Sequence, residues 1–324
     1  MASLRDRFGR NIDYLRISVT DRCNLRCTYC MPEGAPEDPP YRLLTVSEIL
    51  SVVRAVKDMG VEHIRLTGGE PLIRPELTEI IRGIRDLGVP DIALTTNGTL
   101  LSAMARSLKD AGLTRVNVSL DSLDPEVFRK ITRTGEVADV LSGIDAAIAA
   151  GLNPVKANVV VMAGINDDGI LDLARLSMRL PVSVRFIEVM PIGPEEGDRR
   201  VAVPGDLIKT KVAELGPLES ATGVEGSGPA QTYRLKGAPG TVGFIAPLSH
   251  PFCASCNRLR LTPDGKLRPC LASDTEVDLL LALRSDDPDA SLTAAVRQAL
   301  MLKPKSHDLL NFHSHSRRMC QIGG

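Results

Sequence analysis

Between residue 14 and about residue 190, short runs rich in β-branched residues alternate with longer amphipathic segments, and this alternation leaves few architectures open. Strand and helix in regular turn is the pattern of repeated βα units, which cover a parallel sheet with their helices. The runs at 15–19, 63–66, 92–95, 115–120, 155–161 and 184–187 read as strands. Helices fit between them. Thr45 and Glu48 form a capping-box signature before an apolar-periodic run ending at Gly60, and Pro75 opens a second helix ending at Gly88. A third ends near Gly112, a fourth spans 139–150 before Gly151, and a fifth spans 167–180 before Pro181. Six strands predict an incomplete (β/α)6 TIM-like barrel.

After Pro191 the composition turns to Gly, Pro and Glu, followed by short strands, a hairpin turn at Asp264-Gly265 and a helix over 291–301. We therefore expect an α/β protein with a partial barrel at 1–191 and a smaller C-terminal α+β domain at 192–324 covering the open side. No repeat beyond the βα alternation is visible. A net charge of -1 and 3% aromatic residues speak against a nucleic-acid partner. No apolar stretch is long enough to span a membrane, and Met1 to Arg10 lacks the apolar core of a signal peptide, so a cytoplasmic protein is expected. In that reducing compartment, seven cysteines, three early and four late, point to metal rather than disulfides.

Cys23, Cys27 and Cys30 form a C-x3-C-x2-C loop directly after the first strand. Three thiolates leave one iron of a 4Fe-4S cluster without a protein ligand, and that iron can chelate the amino and carboxylate groups of S-adenosylmethionine (SAM). A structural zinc knuckle is the competing reading, but zinc takes four closed ligands and this loop has no fourth Cys or His. The spacing, with Tyr29 before the last cysteine, resembles the radical SAM signature. Gly68-Gly69-Glu70-Pro71 after the second strand is by itself a turn; in this position it resembles the motif that binds the SAM amino group. Further on, Cys253, Cys256 and Cys270 make C-x2-C-x13-C across the expected hairpin. A zinc ribbon would need Cys320 or a tail histidine to complete it, whereas three cysteines suit a second 4Fe-4S cluster with an open iron for substrate.

Alternate residues of a strand share a face. Arg16 with Ser18, Arg65 with Thr67, Asn117 with Ser119 and Asp121, Lys156 with Asn158, and Ser183 with Arg185 all have apolar neighbours on the other parity. A barrel lumen carrying Arg16, Arg65, Lys156 and Arg185 calls for an anionic ligand such as a triphosphate, unless local carboxylates pair with these cations or they lie on the outer face.

From Arg16-Ile17-Ser18-Val19-Thr20-Asp21-Arg22-Cys23 through Cys253-Ala254-Ser255-Cys256-Asn257-Arg258-Leu259-Arg260 to Gly323-Gly324, nearly the whole chain resembles the GTP 3',8-cyclase family of molybdenum cofactor synthesis. The resemblance implies two 4Fe-4S clusters and SAM as cofactors. Tyr29, Gly69, Ser119 and Met190 match its SAM-binding positions, where Met190 alone would read as a core methionine. Arg16, Arg65, Thr95, Lys156, Arg258, Leu259 and Arg260 match its GTP-binding positions. It implies that a 5'-deoxyadenosyl radical removes the 3' hydrogen of GTP, giving (8S)-3',8-cyclo-7,8-dihydroguanosine 5'-triphosphate for a cyclic pyranopterin monophosphate synthase. A reductase or flavodoxin-type electron donor and a homodimer are further implied, as is a catalytic role for Gly323 and Gly324, which could otherwise be a frayed end. Cys320 matches no ligand of the family, and His307, His313 and His315 read as a polar tail. The rival readings are a radical SAM peptide-modifying enzyme with an auxiliary cluster and a zinc-stabilised binding module.

Overall fold

The computed structural model describes residues 4–31, 41–192, 201–221, 228–309 and 316–323. Six parallel strands form in sequence order: β1 (Tyr14–Ser18), β2 (His63–Thr67), β3 (Asp91–Thr96), β4 (Arg115–Ser119), β5 (Val155–Val161) and β6 (Val182–Glu188). All six match expected strands to within two residues. Between them lie α1 (Val46–Asp58), α2 (Leu77–Asp86), α3 (Leu101–Ala111), α4 (Pro125–Thr132), α5 (Val137–Ala149) and α6 (Ile170–Arg179).

The local signals act as read. Glu48 N donates to Thr45 Oγ1 and Thr45 N to Glu48 Oε2, closing the capping box that starts α1. Gly112 ends α3 in the left-handed region at φ 119°, where a Cβ would be strained. Several starts differ: Pro75 and Glu76 form a turn before α2, α5 begins at Val137 rather than at 139, 167–169 form a 3-10 turn before α6, and the helix expected from 291 begins at Pro288. The helix α4 was not expected, although Asp124 caps it by accepting from Glu126 N and Val127 N and Pro125 opens it.

Residues beyond 192 do not stack a second sheet on the first; they lengthen it at both edges. In β7 (Leu218–Ser220), β8 (Gln231–Leu235) and β9 (Thr241–Ile245) the chain builds out from β6. With β10 (Arg258–Leu261), β11 (Lys266–Arg268) and β12 (Val277–Asp278) it builds out from β1, giving a sheet of 12 strands. The reason is physical: the end strands of a six-stranded open barrel carry unpaired backbone groups that need partners. The remaining helices are α7 (Gly205–Val212), α8 (Leu279–Leu283), α9 (Pro288–Met301) and α10 (Met319–Ile322). No described helix is long and apolar enough to cross a membrane.

The core lies between the sheet and its helices. Leu15, Ile17, Ile64, Leu66, Val116, Val118 and Val184 are fully buried there against Ile49, Val52, Ile80, Leu108 and Ile144. The opposite parity of the same strands carries Arg16, Arg65, Asn117, Lys156 and Arg185, so the alternation separates an apolar outer face from a polar lumen.

Candidate active site

The first cysteine loop leaves β1 at its C-terminal end. Arg26 N and Thr28 N bond the Thr132 and Ile131 carbonyls at the end of α4, and Cys30 N bonds Cys27 O at 3.0 Å. Arg133, at φ 66°, reaches the carbonyls of Arg26 and Met31. Cys23, Cys27 and Cys30 are half-buried free thiols. Burial pushes the Cys23 thiol up to about 11 and raises Cys27 well above the ordinary thiol range. Cys30 rises too, first through a hydrogen bond with the Cys320 thiol and then through burial. Three soft sulfurs in one loop suit iron, which takes them as thiolates; Arg26 and Arg133 lie beside them, on the loop's carbonyls. Among the described residues, no three His, Cys, Asp or Glu side chains converge as the ligands of one ion would; thiolates at separate corners of a cuboidal cluster have no need to.

The Gly-Gly-Glu-Pro turn braces this loop. Gly69 N donates to Thr20 O and Glu70 N to Arg22 O, both at 2.8 Å. A Cβ on Gly68 would lie 2.3 Å from Thr20 O, and one on Gly69 2.1 Å from Arg22 O, so only glycine permits the approach. Glu70 is wholly buried and accepts from Thr96 Oγ1 at 2.7 Å, Asn97 N at 2.7 Å and Leu72 N at 3.0 Å. Burial lifts its carboxyl to about 7 against those bonds. Tyr29 donates its hydroxyl to Asp121 Oδ2 at 2.7 Å, just beyond β4, and burial pushes Asp121 up to about 6. Ser119 ends β4 opposite Asn158 of β5. Met190 packs beside Ile192, Leu309 and Ile322.

Below this loop lies a belt of cations. Arg260, Arg16 and Arg65 stand side by side on β10, β1 and β2. Thr95, Asn117, Lys156 and Ser183 form a second row on β3 to β6, with Arg185 one pleat further on. Among the described residues no carboxylate forms an ion pair with Arg16, Arg65, Arg185 or Arg260. Burial first, and mutual repulsion second, depress Arg16, bring Arg260 to about 10 and Arg185 to about 9, and bring Lys156 to about 6. The buried Nε atoms of Arg16, Arg65, Arg185 and Arg258 lack partners. Arg65 is held over the Tyr14 ring, 5.6 Å from its centre, and Arg65 Nη1 lies 3.4 Å from Thr95 Oγ1. Local carboxylate pairing does hold for Arg115, on Asp91, and for Arg268, on Glu276. Leu259 corrects an expectation: its parity is opposite to that of Arg258 and Arg260, and its side chain lies in the apolar core, not in the lumen.

The second cysteine group lies at the other end of the lumen. Cys253 and Cys256 precede β10, which runs parallel to β1, and Cys270 follows the antiparallel β11, so all three gather where β1 begins. Gly265, at φ 83°, makes the expected turn between these strands. Arg10 Nη1 bonds Cys253 O at 2.8 Å, and His307 N points at Cys253 Sγ at 3.3 Å. Burial raises Cys270, whereas Lys303 and Arg258 draw Cys256 below the ordinary value against its burial. His307 is thus not a solvated tail residue, and its Nε2 lies 2.9 Å from Pro247 O. His313 and His315 lie outside the described residues.

The C-terminal segment enters the upper lumen. A Cβ on Gly323 would lie 2.6 Å from Thr67 Cγ2, and Arg260 Nη1 donates to Gly323 O at 2.8 Å. Gly324 lies outside the described residues. On α10, Cys320 is buried beside Cys30, a neighbour that its absence from both cysteine motifs hid. Lys303 was also missed, and Asp121 was read as an inward-facing residue without its bond to Tyr29: each lies far in sequence from the cysteine or tyrosine that it touches.

Together the fold and the first cysteine loop define a radical SAM protein. A model of the radical SAM superfamily matches residues 17–177, and one described as molybdenum cofactor synthesis C matches residues 182–309. Over 99% of this chain and 100% of its own length, the GTP 3',8-cyclase of Moorella thermoacetica is 49% identical. That of Heliobacterium modesticaldum is 49% identical over 98% of this chain and 99% of its own. The chain belongs to the GTP 3',8-cyclase family. Among solved structures, Streptococcus suis SuiB bound to precursor peptide SuiA matches with a TM-score of 0.65, covering 96% of this chain and 76% of that one. At 15% identity that likeness speaks for the fold alone.

Proposed function

We propose that this chain uses SAM to cyclise GTP between ribose carbon 3' and guanine carbon 8, as the first step of molybdenum cofactor synthesis. The observation that carries the substrate is the belt of buried Arg65, Arg185 and Arg260 with half-buried Arg16, none of them in a carboxylate ion pair among the described residues, between two three-cysteine groups. Uncompensated buried cations cost about several kcal/mol each, a cost that a triphosphate removes. Arginine forks also suit its oxygens.

When bound at Cys23, Cys27 and Cys30, a 4Fe-4S cluster supplies the electron that splits the carbon–sulfur bond of SAM. The chain does the rest by position. Gly69 lets the turn lie against the cysteine loop, Asp121 fixes Tyr29 there, and Ser119 and Met190 take the remaining SAM contacts. Lys156 and Thr95, with the arginines including Arg258, hold the triphosphate; Leu259 contributes backbone only. Cys253, Cys256 and Cys270 would hold a second 4Fe-4S cluster at the lower end, against the guanine. Gly323 closes the upper lumen and helps to exclude water from the radical, and Gly324 shares its catalytic role.

The finer assignments are a carbon–carbon bond-forming lyase and a cytoplasmic homodimer with a reductase or flavodoxin-type donor. The product passes to a cyclic pyranopterin monophosphate synthase. The chain divides into 1–191, the partial barrel with the first cluster and most of the triphosphate contacts, and 192–324, which carries the second cluster and the diglycine tail. The test is an anaerobic assay of reconstituted, reduced protein. GTP should stimulate 5'-deoxyadenosine formation and yield the cyclised nucleotide. SAM cleavage with GTP untouched would overturn the substrate and revive the peptide-modifying alternative.

A further inference from the structure

Lys303 follows α9 and is 1% exposed. An ammonium has three protons to donate. Here they have three partners: Pro269 O at 2.7 Å, Arg258 O at 2.8 Å and Cys256 Sγ at 3.5 Å. Every one of these acceptors belongs to the second cysteine group or its immediate flanks. Pro269 precedes Cys270, and Arg258 lies two residues after Cys256. Two carbonyls therefore fix the lysine between both arms of the C-x2-C-x13-C segment, and the third proton is left for sulfur. Among the described residues no carboxylate pairs with it, and the negative charge that faces the ammonium comes from Cys256 and Cys270.

We infer that Lys303 is a positioning residue of the second cysteine group, whose ammonium donates to the Cys256 sulfur and sets the reduction potential of the iron–sulfur cluster held there. This rests on the second cluster proposed above. Three thiolates on a cuboidal core leave a net negative charge, and reduction adds one more. A buried cation bonded to a ligand sulfur stabilises the reduced state more than the oxidised one, and so makes reduction easier. Substituting an uncharged side chain of similar length removes that bias.

The experiment uses the full-length chain with Cys23, Cys27 and Cys30 replaced by alanine, so that only the second group can hold a cluster. It compares Lys303, Lys303→Met and Lys303→Arg by iron count and by a redox titration followed by electron paramagnetic resonance. The inference expects about four irons in each. At a fixed ambient potential, the reduced-to-oxidised ratio of the Met variant should fall on the order of tenfold, ~59 mV for a one-electron couple. The Arg variant should recover most of that loss. Equal titrations in all three chains, or loss of iron from both variants alike, would overturn the inference and leave Lys303 as a structural clamp. Absence of iron from the chain that keeps Lys303 would overturn the second cluster as well.

Discussion

The two cysteine groups present the same three sulfurs in opposite settings. The upper one lies in a loop pressed against Gly68 and Gly69 and held by backbone bonds and the Arg26 and Arg133 side chains, with thiols pushed up by burial. The lower one lies among cations, where Lys303 and Arg258 pull Cys256 down. Donor count alone would make them equivalents; their surroundings assign them different ligands. On the proposed function, an open iron at the upper group would take SAM, which carries its own positive sulfonium, whereas one at the foot of the cationic belt would take an anionic nucleotide.

The largest expected effect separates them by substitution. Replacing Cys23, Cys27 and Cys30 by alanine should abolish all SAM cleavage and halve the iron. Replacing Cys253, Cys256 and Cys270 should halve the iron yet leave slow SAM cleavage that GTP no longer stimulates. Product and iron analyses read both, and basal cleavage lost equally from the two chains would break the distinction.

Next is Gly69→Ala. Its Cβ would overlap the Arg22 carbonyl, so the loop must shift. Stability should fall by about 1–3 kcal/mol, with weaker SAM binding and unchanged GTP binding, measured by thermal unfolding and equilibrium titration.

A smaller effect concerns protons. Lys156, depressed to about 6 by burial and neighbouring cations, is largely neutral at pH 7.5, and a bound triphosphate should restore its charge. GTP binding should then take up a proton, and affinity should fall as pH rises above about 6. Calorimetry in buffers of different ionisation enthalpy reads the uptake, which Lys156→Met should remove. The sign for the unliganded fold is the reverse. Its stability rises with pH from about 6 toward the ordinary lysine range, because there the unfolded chain binds the extra proton.

The smallest effect is Cys320→Ala. Removing the neighbour of Cys30 should cost about 1 kcal/mol of stability and leave the iron count unchanged. A lost cluster would instead make the upper group a four-thiol site.

What could be read in the chain followed from period and spacing. Six strands were legible as short β-branched runs between helical segments, and Arg16, Arg65, Lys156 and Arg185 were legible because in five of those strands polar residues two apart faced apolar neighbours on the other parity. Leu259 was misplaced because the matching run Arg258-Leu259-Arg260 was read as a unit, whereas a strand turns its middle residue to the other face. The joining of β9 to β6 and β10 to β1 was hidden, since edge pairing depends on backbone groups that carry no residue code. The contacts of Lys303, Asp121 and Cys320 were hidden for a related reason: each acts across more than 45 residues, and no local pattern announces such a contact.

The central claim, that the lumen is built for a triphosphate, is tested most directly by equilibrium binding of GTP, GDP and guanosine to the anaerobic, cluster-loaded protein without SAM. Affinity should rise with each phosphate, with GTP binding at least on the order of a hundredfold tighter than guanosine, ~2.7 kcal/mol. Equal affinities for guanosine and GTP would contradict it.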